Sequence, residues 1–432
     1  MLVKELQIRA FRGIDSLDFE FQPGINVLIG VNGVGKSSIL ECLARCVFLY
    51  TEFILPTRYH QKIIFPTIEC IKSGYEHMFV SLRAQINADE EGDWGLSLSR
   101  NYTLDGFLAN TPDDLTRFGS PFLTDVQEKF KEAYLKNPAI NVPLSIYYPT
   151  HRRTPQEDFS LRESDWFDRA SNLTLNNQVI ENQSIDFSDF FLWFREREDL
   201  ENEQRLEQEP SYRDRQLEAV RQAIPQFLPG FSDLRVRRQR LRITVSKQGQ
   251  ELSINQLSDG EKSLLTMVAD IARRLAIHHP SLDNPLQGTG VIMIDEIDAH
   301  LHPQWQRRIV PALQNAFPNC QFILATHSPL IISDLPPDNI YLLHQVDDRI
   351  AASHPEVSLG RDVNQILELV MDVPDRPARF KQDLQALFRL IDEGNLEEAK
   401  QLKTELEQLI GMDEPEFAKA DVMIRRKEIL GR

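Results

Sequence analysis

No uninterrupted apolar run in this chain approaches the about 18 residues that a membrane-spanning helix needs. Lys4, Glu5 and Arg9 follow Met1 too closely for a secretory leader. The expectation is therefore a cytoplasmic protein with no membrane partner. Cysteine is scarce: Cys42, Cys46, Cys70 and Cys320 are the only four, and no CxxC pair occurs. Cys42 and Cys46 lie four apart on the helix face that carries Ile39 and Leu43, so buried thiols are expected rather than ligands or disulfides. Basic charge is also short, with 48 Lys and Arg against 65 Asp and Glu and a net charge of −17. That balance argues against a surface that coats nucleic acid indiscriminately. Internal repeats and low-complexity tracts are missing, and so are long heptad arms.

What remains is ordinary for a globular protein, and 432 residues suffice for one large α/β core with an added module, or two to three domains. In "LDFEFQ" (17–22) Leu17, Phe19 and Phe21 alternate with polar residues, the pattern of a half-buried strand. "PG" at 23–24 turns the chain, and "INVLIG" (25–30) is a continuous apolar run suited to a central strand. After Lys36, the residues Ile39, Leu40, Leu43, Cys46 and Val47 recur at helical spacing. "MFVSLRAQI" (78–86) alternates again, whereas 100–185 carries few sharp signals. Residues 187–222 combine an aromatic start with dense mixed charge and one break at Pro210, predicting two helices. From 243 the pattern predicts a strand, a hairpin at "KQGQ", helices near 261–277 and 303–317, and strands at 290–294 and 321–325. The tail reads as helical: Leu384, Leu387, Phe388 and Ile391 share a face, "EGN" (393–395) breaks the helix, Asn395 with Glu398 offers a capping box, and Gly411 ends the next helix.

The stretch "GVNGVGKSS" (30–38) fits G-x-x-x-x-G-K-[ST] between a strand and a helix. Glycines there let successive N–H groups aim at phosphate oxygens, and the helix adds its positive end. Gly30, Asn32, Gly33, Gly35, Lys36, Ser37 and Ser38 are the candidate nucleotide-binding residues, with Lys36 reaching the β- and γ-phosphates and the Ser37 hydroxyl on Mg²⁺. "VIMIDE" (291–296) ends a buried strand on two acids: Asp295 suits the Mg²⁺ ion, and Glu296 suits the base for water. Asp298 follows in "DAHLHP". "LSDGEKS" (257–263) opens a helix, and Ser258, Gly260 and its free N–H groups make a second anion cradle. A second cradle in a chain that already has a phosphate loop suggests service to a nucleotide bound by another copy. The pairs His300/His302 and His278/His279 have no completing ligand cluster in the sequence, which favours packing or dimer contact over zinc.

The order phosphate loop, "LSDGE", "IMIDEID", "ATHSP" (325–329) resembles the ATP-binding-cassette ATPases of the SMC and RecF branch. The resemblance covers roughly the first 90 residues and 240–330. It implies an α/β head with an N-terminal antiparallel β-subdomain, a short helical insertion and a helical tail. The corresponding divisions are 1–185, 186–225, 226–345 and 346–432. It implies ATP and Mg²⁺ as cofactors and an ATP-sandwich homodimer or higher oligomer, with Ser258 on the γ-phosphate across the dimer and Asp298 joining the two sites. His327 would be the switch histidine and Arg12 an early basic residue near the nucleotide. Asp259 stands where many transporters have glycine, and no Q-loop glutamine is placed beyond a weak candidate at Gln61. More narrowly, "FFLWFREREDLEN", "IDAHLHPQWQRRI" and "LIDEGNLEEAKQLKTELEQLIG" resemble Septu-type and retron-associated ATPases of bacterial anti-phage modules, which work beside a separate nuclease.

Three readings follow: an ATPase that gates a separate nuclease, a RecF- or SMC-like DNA-binding ATPase, and a transporter ATPase subunit. The helical insertion and the long tail after His327 disfavour the third. "RVRRQRLR", with Arg235, Arg237, Arg238, Arg240 and Arg242, is either a solvated strand face or a phosphate- or partner-contacting strip, the one candidate nucleic-acid surface.

Overall fold

Alternating apolar and polar residues build the first strands. In the computed structural model, β1 (Leu2–Phe11) and β2 (Ile14–Glu20) pair antiparallel with Leu6 opposite Phe19 and Ile8 opposite Leu17. These four side chains are buried on one face. β3 (Ile25–Gly30) does not alternate and is buried from Ile25 to Ile29, as a central strand must be. α1 (Lys36–Ile54) follows, then β4 (His77–Gln85) and β5 (Glu91–Ser99). The described residues are 1–54, 66–87, 90–100, 121–137, 139–150, 187–207, 209–239, 241–347, 349–374 and 376–430. Gln61 and Arg240 lie outside them, as does much of the weakly patterned 100–185 stretch.

Within that stretch the structure adds α2 (Pro121–Lys136) and a short strand, β6 (Leu144–Tyr148). Two helices occupy the charged segment, α3 (Phe187–Glu207) and α4 (Arg215–Phe227), the second capped by Asp214 accepting from the Gln216 and Leu217 amides. Next come β7 (Phe231–Arg237), β8 (Arg242–Lys247) and β9 (Gln250–Ser253). The β8–β9 turn uses Gln248 (φ 51°) and Gly249 (φ 84°), two successive left-handed residues as a tight hairpin requires. Then follow α5 (Asp259–His278), β10 (Gly290–Ile294), α6 (Pro303–Ala316), β11 (Cys320–Ala325) and the single turn α7 (Pro329–Ile332). Two strands not anticipated after His327, β12 (Ile340–Val346) and β13 (Arg349–Ser353), complete the head.

The main sheet runs β13-β12-β3-β11-β10-β6, parallel except for the β13 edge. An antiparallel sheet, β2-β1-β4-β5, shares one apolar core with α1 and the face of the main sheet that carries Val291, Met293 and Ile323. β7-β8-β9 form a third, antiparallel sheet. The four cysteines are buried free thiols, and burial pushes the thiols of Cys46 and Cys320 up to about 12.

The chain divides into two compact units, Met1–Arg361 and Asp362–Arg432. The second consists of α8 (Val363–Leu369), α9 (Ala378–Glu393), α10 (Leu396–Ile410) and α11 (Pro415–Leu430). Leu384, Leu387 and Ile391 of α9 pack with Ala399 and Leu406 of α10 and Phe417 and Ile424 of α11. Gly394 (φ 85°) ends α9 in the left-handed conformation. The expected capping box at Asn395 is absent: Asn395 is the N-cap of α10 but its side chain makes no cap hydrogen bond. The tight Gly394 turn sets ψ of Asn395 to 64°, away from the extended backbone of a side-chain cap.

Candidate functional site

β3, β11 and β10 are neighbours and parallel, so the loops that follow them emerge at one edge of the sheet. In open parallel sheets that edge is where ligands bind. It receives residues 30–38 from β3, Asp295 and Glu296 from β10, and Thr326–Ser328 from β11.

Gly33 (φ 83°) and Gly35 (φ 101°) hold the first loop in backbone conformations that strain any L side chain. At Gly30 the reason for glycine is space, since an added Cβ would lie 2.5 Å from the Leu343 carbonyl oxygen of β12. Lys36 is buried and donates to two carbonyls of its own loop, Gly30 O at 2.8 Å and Val31 O at 3.1 Å. Burial lowers the pKa of its ammonium, while Asp295, Glu296 and Asp298 act in the opposite direction. The fold thus gathers Lys36 and all three acids into one electrostatic neighbourhood. Asn32 and Ser37 are exposed and Ser38 is half-buried in the first turn of α1, at its positive end.

Asp295 is buried, its amide donating to Tyr148 O at 2.8 Å and its Oδ2 accepting from Thr150 Oγ1 at 2.8 Å. Thr150, just past β6, is a site residue that the sequence reading missed. Glu296 has φ 45°, a left-handed conformation rare outside glycine and frequent at functional positions. Carboxylates and hydroxyls are hard oxygen donors, so Asp295, with Ser37, fits a Mg²⁺ ion. Asp298 Oδ1 accepts from Thr326 Oγ1 at 2.5 Å and from the His327 amide at 3.3 Å, which joins the acid loop to the histidine loop.

The second cradle is a finished helix cap. Ser258 is the N-cap of α5, its Oγ accepting from the Glu261 amide at 3.4 Å. In return Glu261 Oε2 accepts from the Ser258 amide at 3.0 Å and its hydroxyl at 2.9 Å. Lys247 holds the other Glu261 oxygen at 2.6 Å. Burial opposes ionisation of Glu261, but the bonds from Lys247 and Ser258 prevail and its pKa is lowered. Gly260 is pressed against the acid loop: a Cβ there would come 2.5 Å from His300 O and 3.1 Å from the Trp305 ring.

Other candidates are committed elsewhere. Arg12 pairs with Glu41 of α1 at 2.7 Å, and Glu41 also pairs with Arg45 at 2.6 Å. Arg235, Arg237 and Arg238 are each matched by acids: Asp233, Glu251, and Glu198 with Asp199. His302 caps α6 by accepting from the Gln304 amide at 3.3 Å. His279 Nε2 accepts from the Thr289 amide at 3.0 Å, and burial lowers its pKa to about 4. Among the described residues no helix is long and apolar enough to cross a membrane.

The chain is 29% identical over 435 residues to the retron Vc95 probable ATPase of Vibrio cholerae serotype O1 biovar El Tor, covering 90% of this chain and 82% of that protein. It is 24% identical over 412 residues to the Septu protein PtuA of Bacillus thuringiensis, covering 92% and 91%. Among solved structures, the SmcHead bound to the C-winged helix domain of ScpA matches 83% of this chain and 98% of that one, at 16% identity and a TM-score of 0.48. The family model described as "AAA domain, putative AbiEii toxin, Type IV TA system" matches residues 25–333, from β3 through the histidine loop. The chain therefore belongs to that AAA family and is an ATPase.

Proposed function

We propose that this ATPase closes as a homodimer around ATP and that closure gates a separate effector, a nuclease, in bacterial anti-phage defence. The observation that carries the reading is that both stretches suited to phosphate, the 30–38 loop and the Ser258 cap, have residues exposed to solvent. Ser258 is exposed, as are Val31, Asn32 and Gly33. Among the described residues no hydrogen bond or ion pair joins the Ser258 cap to the 30–38 loop. A γ-phosphate held by one chain's loop can therefore be met by the cap of a second chain.

In the site, Lys36 exchanges its two loop carbonyls for phosphate oxygens, and the amides of Gly33 to Ser38 surround the rest. Ser37 and Asp295, steadied by Thr150, would hold Mg²⁺, which supplies neutralisation of the β- and γ-phosphate charge. Glu296 accepts a proton from a water whose oxygen attacks the γ-phosphorus, while the bond to the bridging oxygen breaks and ADP leaves. His327, whose amide is held by the Asp298 carboxylate, would position that γ-phosphate. The chemical contribution is positioning and charge compensation.

The effector reading is supported by the likeness to retron and Septu proteins over most of the chain. The helical unit presents large apolar side chains to solvent, Leu409, Met412, Val422 and Ile429 among them, as candidate docking contacts. The DNA-binding alternative rests on the 235–242 arginines, three of which already face carboxylates.

Glu296→Gln tests the reading. Hydrolysis should fall on the order of 10²- to 10⁴-fold, and light scattering should record a doubled mass with ATP and not without it. A monomer at saturating, verified ATP occupancy contradicts the dimer.

A further inference from the structure

A connected set of polar side chains surrounds His327 and reaches the Asp298 loop. We propose that Thr326, Ser328 and Gln306 form a closed hydrogen-bonded ring that fixes the His327 backbone against the Asp298 loop, which makes Thr326 and Gln306 positioning residues for hydrolysis. The inference deepens the site described above and rests on the role given there to His327.

The ring can be followed atom by atom. Thr326 Oγ1 donates to Asp298 Oδ1 at 2.5 Å and accepts from the Ser328 amide at 3.0 Å. Ser328 Oγ donates to Gln306 Oε1 at 2.8 Å and accepts from the Leu330 amide at 3.2 Å. Gln306 Nε2 then donates to Leu301 O at 2.9 Å and to Asp298 O at 3.4 Å, which closes the ring at Asp298. Backbone bonds anchor both loops to the sheet, from the Ile297 amide to Ala325 O at 3.0 Å and from the Thr326 amide to Leu28 O at 3.2 Å.

Thr326 and Ser328 are buried, so a hydroxyl removed from either leaves its partners in the ring short of a bond where water does not replace it. His327 sits between them and contributes only its amide, to Asp298 Oδ1. Among the described residues its imidazole has no hydrogen-bond partner, and it is half-buried. A side chain left for a ligand, on a backbone held from both sides, is the arrangement expected when placement matters more than packing. Gln306 comes from the first turns of α6, so the same helix that follows the acid loop braces the histidine loop.

The test is a double-mutant cycle on steady-state hydrolysis with parallel nucleotide titration. Thr326→Val, which keeps the shape and deletes the hydroxyl, should lower kcat on the order of 10²-fold with ATP affinity within about twofold of the parent. Thr326→Ser, which restores the hydroxyl, should recover most of that loss. Thr326→Val added to His327→Ala should cause no further loss, because the first residue acts through the second. Gln306→Leu, at a half-buried position, carries the same cycle should Thr326→Val fail to fold. Losses that multiply in the double variant overturn the ring as a positioning device while leaving His327 in place. A fully active His327→Ala overturns both. Equal losses in kcat and in ATP affinity for Thr326→Val assign the hydroxyl to general stability and also overturn the inference.

Discussion

The two stretches proposed to hold phosphate, 30–38 and 257–263, differ in what their side chains hold. The first rests its cation on neutral carbonyls, with Lys36 on Gly30 O and Val31 O. The second already holds an anion, since the Glu261 carboxylate accepts from the amide and hydroxyl of Ser258 and is clamped by Lys247. A phosphate entering the loop displaces no charge. A phosphate entering the cap must compete with an ionised side chain at the positive end of α5. Under the proposed dimer, the contrast predicts an order of closure: nucleotide on one chain's loop, then the second chain's cap.

Three substitutions test this contrast. Lys36→Ala removes the charge-assisted bonds on the loop side, so ATP affinity should fall at least about 10²-fold in a fluorescent-nucleotide titration. Unchanged affinity would erase the difference between the stretches. Gly260→Ala forces a Cβ against His300 O, an overpacking that costs about 1–3 kcal/mol. Urea unfolding should show that loss and hydrolysis should fall, while ATP binding to the Lys36 loop stays at the parent level; reduced ATP binding would mean that the cap and loop are one site. Glu261→Gln keeps the capping box, which glutamine also completes, and removes the charge. ATP-dependent association should then occur at roughly two- to fivefold lower ATP, the scale of a charge at a helix end. Higher ATP demand would show that the carboxylate assists the cap rather than blocking it.

The head was legible where its signals are contiguous. β3, the phosphate loop and α1 follow one another without interruption, β10 is an apolar run that ends on acids, and β11 is apolar from Phe322 to Ala325. The parts that needed the structure depend on pairing between distant residues. Thr150 reaches Asp295 only because β6, five residues without alternation, lies beside β10. The ring around His327 joins two loops across the sheet, and no spacing rule connects Gln306 with Ser328. β12 and β13 were passed over because "IYLLHQV" loses its apolar pattern at His344, where the strand becomes exposed. The left-handed φ of Glu296 leaves no trace in composition. The Ser258–Glu261 box was available, since S-x-x-E announces it, whereas the same reasoning at Asn395 failed on backbone geometry. Charge counting flagged 235–242 but could not show that its arginines face acids from α3 and β9.

The proposed dimer requires that a single γ-phosphate be held by two chains at once. Lys36→Ala and Ser258→Ala proteins should each hydrolyse ATP poorly alone. Mixed and shown to form heterodimers, they should regain turnover, because one of the two sites then pairs an intact loop with an intact cap. A mixture of confirmed heterodimers no faster than either variant by itself would contradict the shared site.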